Sequence, residues 1–435
     1  MDHTNTEGLK RELGIIDVAI NVVNITIASG IFLLPALIAG ILGDGSLYGY
    51  IICGFVLLIE SLCYAEMSSR FSSSGGAYTY IEKAFGPFAG FISNTVFWFG
   101  AGIFVAAALL NGLAQMLSVV FPVFKDPAWK AVLFISLLSF SAYFNIRGVS
   151  QGMNIVRLVT ALKILPLIVL VLFGLFYLKP DHIQWGSFPS FNKLGEASLI
   201  LFFAFTGGET ALNISGEMKH AIRTAPLGLL IGVIGAVIFY CLIQFIAQGV
   251  LGPDLINHKD APLAAVAESI FGKPGASVLI ACAVLSIFGC FNSVILVFPR
   301  VLFAGANQGV LPAKLSGVHP KYATPYLAII FFSIISFIIS ISGGFKQLAV
   351  LATASMLLMH LGVILAVIRF RLKKDEDHPA NYKLPFGLSI PILAAFAICW
   401  FLYNLTGKEV LGISIFIAGL SIIYWVKTFV IKKAL

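Results

Sequence analysis

Charged residues are scarce in this sequence. Asp, Glu, Lys and Arg together make up 11% of its 435 residues, while the hydrophobic residue types make up 59%. A soluble domain has about 25% charged residues, so a chain of this composition could not cover its surface with polar groups in water. The 38 phenylalanines are spread along the whole length. The composition therefore predicts a membrane protein without a soluble domain.

Motifs for metal binding and catalysis are also lacking. The six cysteines lie inside apolar segments, without a CxxC pair or a cluster of Cys and His, and an unpaired cysteine behaves as a small hydrophobic residue. We therefore predict no disulfide, no metal site and no cofactor. The absence of HExxH, GxSxG, a phosphate-binding glycine loop and a repeated filter motif disfavours an enzyme and a channel. The net charge of +8 is scattered over short loops, so no nucleic-acid partner is expected.

Long apolar runs dominate the chain. A helix that crosses the bilayer needs about 20 mostly apolar residues. The sequence has twelve such stretches and so predicts twelve transmembrane helices, called spans 1 to 12 below. They lie at about residues 14–41, 46–66, 86–120, 128–144, 154–178, 194–217, 225–250, 274–305, 325–342, 346–370, 388–404 and 409–428.

The distribution of Lys and Arg predicts the orientation. Cytoplasmic loops of multi-pass proteins carry an excess of these residues. With both termini in the cytoplasm, 19 of the 28 Lys and Arg fall at cytoplasmic ends and eight at the opposite ends. We therefore predict an integral protein of the cytoplasmic membrane, with residues 1–13 as a cytoplasmic N-terminal segment that lacks a cleavable signal. The remaining basic residue, Lys163, falls inside the membrane.

Two of the predicted spans are interrupted by glycine. One interruption lies within residues 24–35, around Ser29 and Gly30, and the other lies within residues 203–210, just before Glu209. These are spans 1 and 6, which are corresponding members of two five-helix halves. Such paired breaks point to the binding site of a transporter, because freed backbone groups can contact a polar cargo but not lipid. Close packing of helices through small residues is the alternative, and the intramembrane glutamate beside the second break favours the binding site.

Five short motifs follow one another over about residues 10–326. They are Ala28-Ser29-Gly30-Ile31-Phe32; the run from Tyr64-Ala65-Glu66-Met67 through Ser74-Gly75-Gly76-Ala77-Tyr78 to Phe85-Gly86-Pro87-Phe88; Phe203 to Glu209 with Gly216-Glu217-Met218-Lys219; Pro299-Arg300 with Gly309-Val310-Leu311-Pro312; and Thr324-Pro325. In this order they resemble the amino acid–polyamine–organocation (APC) superfamily of amino acid permeases. The resemblance implies an all-α membrane fold with helices 1 and 6 broken. Its transporter core would be residues 14–370, in two inverted five-helix repeats at about 14–178 and 194–370, with two peripheral helices and a cytoplasmic C-terminus at 388–435.

The resemblance also implies a substrate site. The carboxylate of an amino acid would meet the N–H groups of span 1, and its ammonium would meet the carbonyls of span 6, a polarity that suits the half-helix dipoles. Phe203 takes the place of the aromatic residue that closes the pocket to the outside. Gly208 stands where the family often has a bulkier residue, which predicts a roomier pocket or a different local backbone. The implied substrate-binding residues are Ala28, Ser29, Gly30, Ile31, Phe203, Ala204, Phe205, Thr206 and Gly208.

Ionisable side chains inside the membrane are candidates for coupling and gating. Lys163 lies roughly 14 Å into span 5, where permeases similar to this chain have a lysine and sodium-driven relatives hold an ion. It either stands in for that cation and exchanges a proton, or ties span 5 to carbonyls of span 1. Glu209 resembles a glutamate implicated in proton sensing or in the gate network, with a hydrogen bond to a neighbouring helix as the alternative. For Glu60 in span 2 and His360 in span 10 the structural interpretation is favoured.

The predicted function is transport of an amino acid by proton symport or by exchange, within the lipid bilayer. Residues 98–108 of span 3, expected near the pocket, include no charged or amide side chain, which favours a neutral amino acid. A cationic amino acid or polyamine antiporter stays open, because Glu60 or Glu209 could offset a positive side chain. Lys163 argues against sodium coupling. The oligomeric state is not readable from the sequence.

Overall fold

The computed structural model describes residues 13–71, 76–147, 153–183, 186–307, 311–373, 380 and 382–434. Within these ranges the fold is all-α, and the only β-type contact there is a parallel bridge between Leu13 and Met218. Residues 1–12 of the predicted N-terminal segment and the motif residues Ser74, Gly75, Gly309 and Val310 lie outside the described residues.

The described residues form fifteen α-helices. A π-helical segment, Trp98–Phe104, joins α5 to α6, and a 3-10 helix, Gly208–Glu217, follows α9. The α-helices are α1 Ile15–Thr26, α2 Ser29–Leu42, α3 Ser46–Arg70, α4 Gly76–Phe85, α5 Pro87–Phe97, α6 Val105–Val120, α7 Pro127–Arg147, α8 Met153–Gly174, α9 Phe191–Phe205, α10 Ala221–Leu251, α11 Pro262–Asn307 (bent at Gly272), α12 Tyr326–Ser342, α13 Phe345–Lys373, α14 Ser389–Tyr403 and α15 Gly407–Ala434.

These helices overlap every apolar stretch of the sequence. Span 1 corresponds to α1 and α2, span 3 to α5, the π-helical segment and α6, and span 6 to α9 with the 3-10 helix. Seven helical segments among the described residues are long and apolar enough to cross a membrane, and four shorter apolar helices accompany them. The all-helical membrane class agrees with the sequence, while the count of twelve crossings and the inverted repeats stay predictions.

Small residues bring the central helices close together. The helix α10 packs against both α3 and α1, α2 packs against α9, and α6 packs against α11. A Cβ atom at Gly54 of α3 would collide with Val237 of α10. In lipid, association of helices depends on such close packing because the surrounding tails are as apolar as the side chains.

The outermost helices expose apolar surface. In the apolar part of Gly407–Val426, which lies within α15, 6% of the residues are buried inside the structure. In the apolar part of α13 the buried share is 67%. Phe396 of α14 is 71% exposed. Lipid covers such surface without cost, whereas water would not. This exposure is in keeping with peripheral helices at residues 388–435, although the division into domains stays a prediction.

Candidate functional site

Span 1 is broken between α1 and α2. Two residues leave the helical conformation. Ile27 has φ −81° and ψ 85°, and Ala28 has φ −120° and ψ −131°. Because α2 begins at Ser29, the N–H groups of Ser29, Gly30 and Ile31 lie in its first turn. N–H groups at that position have no carbonyl partner within the helix. These groups carry the partial positive charge of a helix N-terminus and suit a carboxylate.

Span 6 is broken just after Phe205, the last residue of α9. Thr206 is extended, with φ −75° and ψ 160°. Gly207 has φ +108°, a conformation that glycine adopts without strain and other residues avoid. The carbonyls at the end of α9 therefore lack helical partners and carry partial negative charge, which suits an ammonium group.

The two breaks touch each other. A Cβ atom at Gly30 would collide with both Cβ and Cα of Ala204. The hydroxyl of Tyr240 on α10 lies 3.1 Å from the carbonyl oxygen of Thr26 and 3.2 Å from that of Ala204, within donating distance of both. The N-terminus of α2 and the C-terminus of α9 thus meet at one place. Sequence reasoning missed Tyr240, although a buried tyrosine hydroxyl in an apolar helix generally needs a polar partner.

Two hydroxyl groups at the span 1 break are unsatisfied. Thr26 and Ser29 are 2% and 0% exposed, and their Oγ atoms have no hydrogen-bond partner among the described residues. Buried polar atoms are nearly always hydrogen-bonded. A polar ligand or water at the break would satisfy these hydroxyls.

Gly208 does not open extra space. A Cβ atom there would lie 2.9 Å from Val22 Cγ1 and 3.1 Å from Thr26 Oγ1. Of the two explanations offered for Gly208, the structure favours the different local backbone, since the 3-10 helix begins at this residue.

Phe203 lies in an aromatic contact between spans 6 and 10. Its side chain is 8% exposed, and its ring packs edge-on against Phe345, the first residue of α13, with the ring centres 5.7 Å apart. This contact lies on the α9 side of the break. The geometry is compatible with a gate residue.

Lys163 is held by the break of span 1. Its side chain is 6% exposed, and its Nζ donates to the carbonyl oxygens of Asn24 at 2.5 Å and Ile27 at 2.8 Å. In an unbroken helix the Asn24 carbonyl would accept from the N–H of Ala28, which instead bonds to Thr26. The Lys163 ammonium therefore replaces the backbone donor that the Asn24 carbonyl loses at the break.

Glu209 joins two residues that the sequence did not connect to it. Its Oε2 accepts a 2.9 Å hydrogen bond from the N–H of Gly207, and its Oε1 lies 3.5 Å from His360 Nε2. On the other side of the ring, His360 Nδ1 contacts Glu60 Oε1. Glu60, His360 and Glu209, called the acid–base trio below, come from α3, α13 and the 3-10 helix.

Polar contacts link several elements near the start of α1 and the end of α3. The N–H of Lys219 donates to the carbonyl of Leu13 at 2.9 Å. Glu66 is fully buried, pairs with Arg70 at 3.1 Å and also pairs with Arg371. Tyr382 lies in the loop between α13 and α14. Its partial burial raises its pKa, and the nearby carboxylate of Glu66 adds to this shift.

The first part of span 3 lies away from the broken helices, whereas α6, its later part, packs on α2. The segment Trp98–Phe104 of span 3 is π-helical and packs mainly on α11, α12 and α13 rather than on the broken helices. A Cβ atom at Gly100 would collide with Ser355 of α13. The lack of charge is therefore a weak argument about the substrate for residues 98–104, and it keeps its force for residues 105–108 of α6.

Known proteins resemble this chain over most of its length. Residues 13–427 match a family model described as amino acid permease. The chain is 29% identical to the serine/threonine exchanger SteT of Bacillus subtilis (98% of this chain, 99% of the relative). It is 27% identical to the branched-chain amino acid permease BcaP of the same organism (91% and 88%) and 26% identical to an arginine/ornithine antiporter of Latilactobacillus sakei (74% and 70%). These relatives are transporters and not enzymes.

Proposed function

Because this chain belongs to the amino acid permease family, we propose that it moves a neutral amino acid across the cytoplasmic membrane, by proton symport or by exchange. Both termini would lie in the cytoplasm. The observation that carries the proposal is the meeting of the α2 N-terminus with the α9 C-terminus at Gly30 and Ala204. Two opposite partial charges at one place match the carboxylate and the ammonium of a zwitterion.

The site would divide the substrate between the two breaks. The carboxylate accepts from the N–H groups of Ser29, Gly30 and Ile31, with the unsatisfied Ser29 hydroxyl as a further donor. The ammonium donates to carbonyls of residues 203–206. Phe203 covers this region together with Phe345.

A neutral side chain fits the surroundings better than a cationic one. The two carboxylates that could offset a positive side chain, Glu60 and Glu209, both face His360. The names of two relatives refer to serine and threonine and to branched-chain amino acids, whereas a third refers to arginine and ornithine. The geometry of the carboxylates favours the first two.

Lys163 anchors the break of span 1 in this proposal. Its two hydrogen bonds end on backbone carbonyls, which supports the tie between spans 5 and 1. Proton coupling by Lys163 is the competing role, and the variants described in the Discussion separate the two.

Binding and flux measurements test the proposed function together. The purified protein is screened by thermal shift against all amino acids and polyamines, and hits are then assayed in proteoliposomes without sodium, with and without a pH gradient and internal amino acid. We expect stabilisation by a neutral amino acid and its accumulation. Stabilisation by arginine or polyamines alone would contradict the neutral substrate, and no binding or flux of any amino acid would contradict the function.

A further inference from the structure

The acid–base trio brings three titratable side chains together away from water. The side chains of Glu60 and His360 are each 2% exposed, and that of Glu209 is 11% exposed. His360 lies between the carboxylates, with Nδ1 towards Glu60 and Nε2 towards Glu209. The two glutamates come from spans 2 and 6, so a single ring links them through span 10.

An added proton would reconcile the three buried groups. A neutral imidazole has one N–H donor and one lone pair, and an ionised carboxylate only accepts. If all three groups were in these forms, the ring lone pair would face a carboxylate oxygen, and two negative charges would lie buried without a cation, at high cost. One added proton removes the conflict. Either an imidazolium donates to both carboxylates, or one protonated carboxyl donates to the ring.

The surroundings of the trio offer little to replace that proton. The packed helices contribute two tyrosines and a cysteine: Tyr64 and Cys63 from α3 and Tyr80 from α4. The Tyr64 ring lies edge-on to His360, with centres 5.4 Å apart. Five charged residues on the surrounding helices make contacts elsewhere: Asp17 with the N–H of Gly14, Glu66 with Arg70 and Arg371, Glu196 with Lys346, Lys83 over the ring of Phe71 and Arg369 over that of Phe85.

We propose that Glu60, His360 and Glu209 form one proton site, which holds a proton while Glu209 lies against His360 and releases it when the span 6 break moves. Glu209 is fixed to the break through the N–H of Gly207, and the carbonyls assigned to the substrate ammonium directly precede that glycine. Movement of the break therefore separates Glu209 from His360. The proton passes to water beside Glu209, the most exposed of the three groups.

Glu60 and His360 hold the proton together with Glu209, which is the member of the trio that moves with the break. This inference rests on the proposed function, because the substrate is what moves the span 6 break. In this proposal Glu60 and Glu209 share a proton with His360, so they are not free to bind the cationic side chain of a substrate.

The first test counts protons. The full-length protein in weakly buffered detergent solution is saturated with the stabilising neutral amino acid, and a pH indicator measures the protons exchanged per bound substrate. We expect a pH-dependent proton exchange in the wild type that Glu60→Gln, His360→Gln and Glu209→Gln each abolish. The double variant Glu60→Gln/His360→Gln should show the same loss of exchange as either single variant. Glu196→Gln is the control, since this carboxylate pairs with Lys346 on an exposed face, and its exchange should equal that of the wild type.

The second test needs no substrate and therefore stands apart from the proposed function. Infrared spectra of the unliganded protein during pH titration report carboxyl protonation and imidazole protonation separately. We expect a protonated carboxyl band or an imidazolium band in the wild type that shifts in all three glutamine variants. If His360→Gln does not fold, Glu60→Gln, whose amide keeps the side-chain volume, carries the test.

Two results would overturn the proton site. One is proton exchange unchanged in Glu60→Gln and His360→Gln but lost in Glu209→Gln, which would leave Glu209 acting alone. The other is a wild-type spectrum in which both carboxyls are ionised and the imidazole is neutral throughout. Failure of every amino acid to bind, with the infrared bands present as expected, would remove the proposed function and keep the proton site.

Discussion

The two broken helices differ in what holds them. The span 1 break is held mainly by a donor of its own, because Lys163 bonds to two of its backbone carbonyls, whereas the Tyr240 hydroxyl is shared between Thr26 of span 1 and Ala204 of span 6. The span 6 break is held by an acceptor, because Glu209 bonds to the N–H of Gly207 and faces His360. The first arrangement keeps its geometry without proton exchange, whereas the second depends on a shared proton. We infer that span 1 is the anchored half of the site and span 6 the switched half.

Among the variants that test this comparison, Lys163→Ala is expected to have the largest effect on stability and transport. A hydrogen bond from a charged group contributes about 1.5–3 kcal/mol, and Lys163 makes two to the break. The variant should therefore lose about 3 kcal/mol or more of stability, together with substrate binding and pH-driven accumulation. Thermal unfolding and proteoliposome flux measure these losses.

Lys163→Gln sharpens the same test, because the amide still donates but carries no charge. An anchor predicts that part of the stability and binding returns. Normal binding by both variants with accumulation lost would instead assign coupling to Lys163, and a new sodium dependence in Lys163→Ala would support cation replacement. Full accumulation by Lys163→Ala would exclude both roles.

Gly30→Val tests the contact between the breaks and should abolish uptake. The added side chain collides with Ala204 and blocks the N–H groups of the first turn of α2, while overpacking costs about 1–3 kcal/mol of stability. Gly40→Val is the matched control in the same helix, because Gly40 has no atom within 4 Å of a Cβ position. Normal affinity in a Gly30→Val protein would place the carboxylate elsewhere.

Phe203→Ala should weaken binding and open a leak. The edge-on contact with Phe345 is of a kind that contributes about 0.5–1.5 kcal/mol, so affinity should fall by up to roughly tenfold. Efflux of preloaded substrate should rise. Phe203→Trp keeps an aromatic ring and should behave as the wild type, and equal kinetics for the Ala variant would remove Phe203 from the pathway.

Ser29→Ala should have the smallest effect, with opposite signs for binding and stability. Its Oγ has no partner among the described residues, so its removal should leave the unliganded protein as stable or more stable. Loss of a hydrogen bond worth about 0.5–1.5 kcal/mol should weaken substrate binding about two- to tenfold. Ser198→Ala is the control, because Ser198 is equally buried and donates to Leu194 at 2.6 Å. Weaker binding in the control alone would contradict the assignment of Ser29.

Local features of the fold were readable from the sequence. Apolar runs of sufficient length mark the helices, and the glycines near Gly30 and at Gly207 mark the two interruptions. The positions of the breaks were only approximate, since the backbone leaves the helix at Ile27 and Ala28.

Contacts between distant helices were harder to predict. The tie from Lys163 to span 1 was one of two hypotheses, because an intramembrane lysine must find acceptors. For Tyr240, Glu60 and His360 the sequence gave no indication of the partner, since each partner lies in another span. Their roles depend on how spans 2, 6, 7 and 10 pack, which the sequence does not state.

The most direct measurement of the central claim uses the two ends of the substrate separately. Thermal shift is recorded with the stabilising neutral amino acid, with its methyl ester, which lacks the carboxylate, and with its N-acetyl derivative, which lacks the ammonium. The account predicts that the free amino acid alone stabilises the protein, because the α2 N-terminus and the α9 C-terminus each need their own charged partner. Stabilisation by either derivative equal to that of the free amino acid would show that one of the two breaks does not bind the substrate.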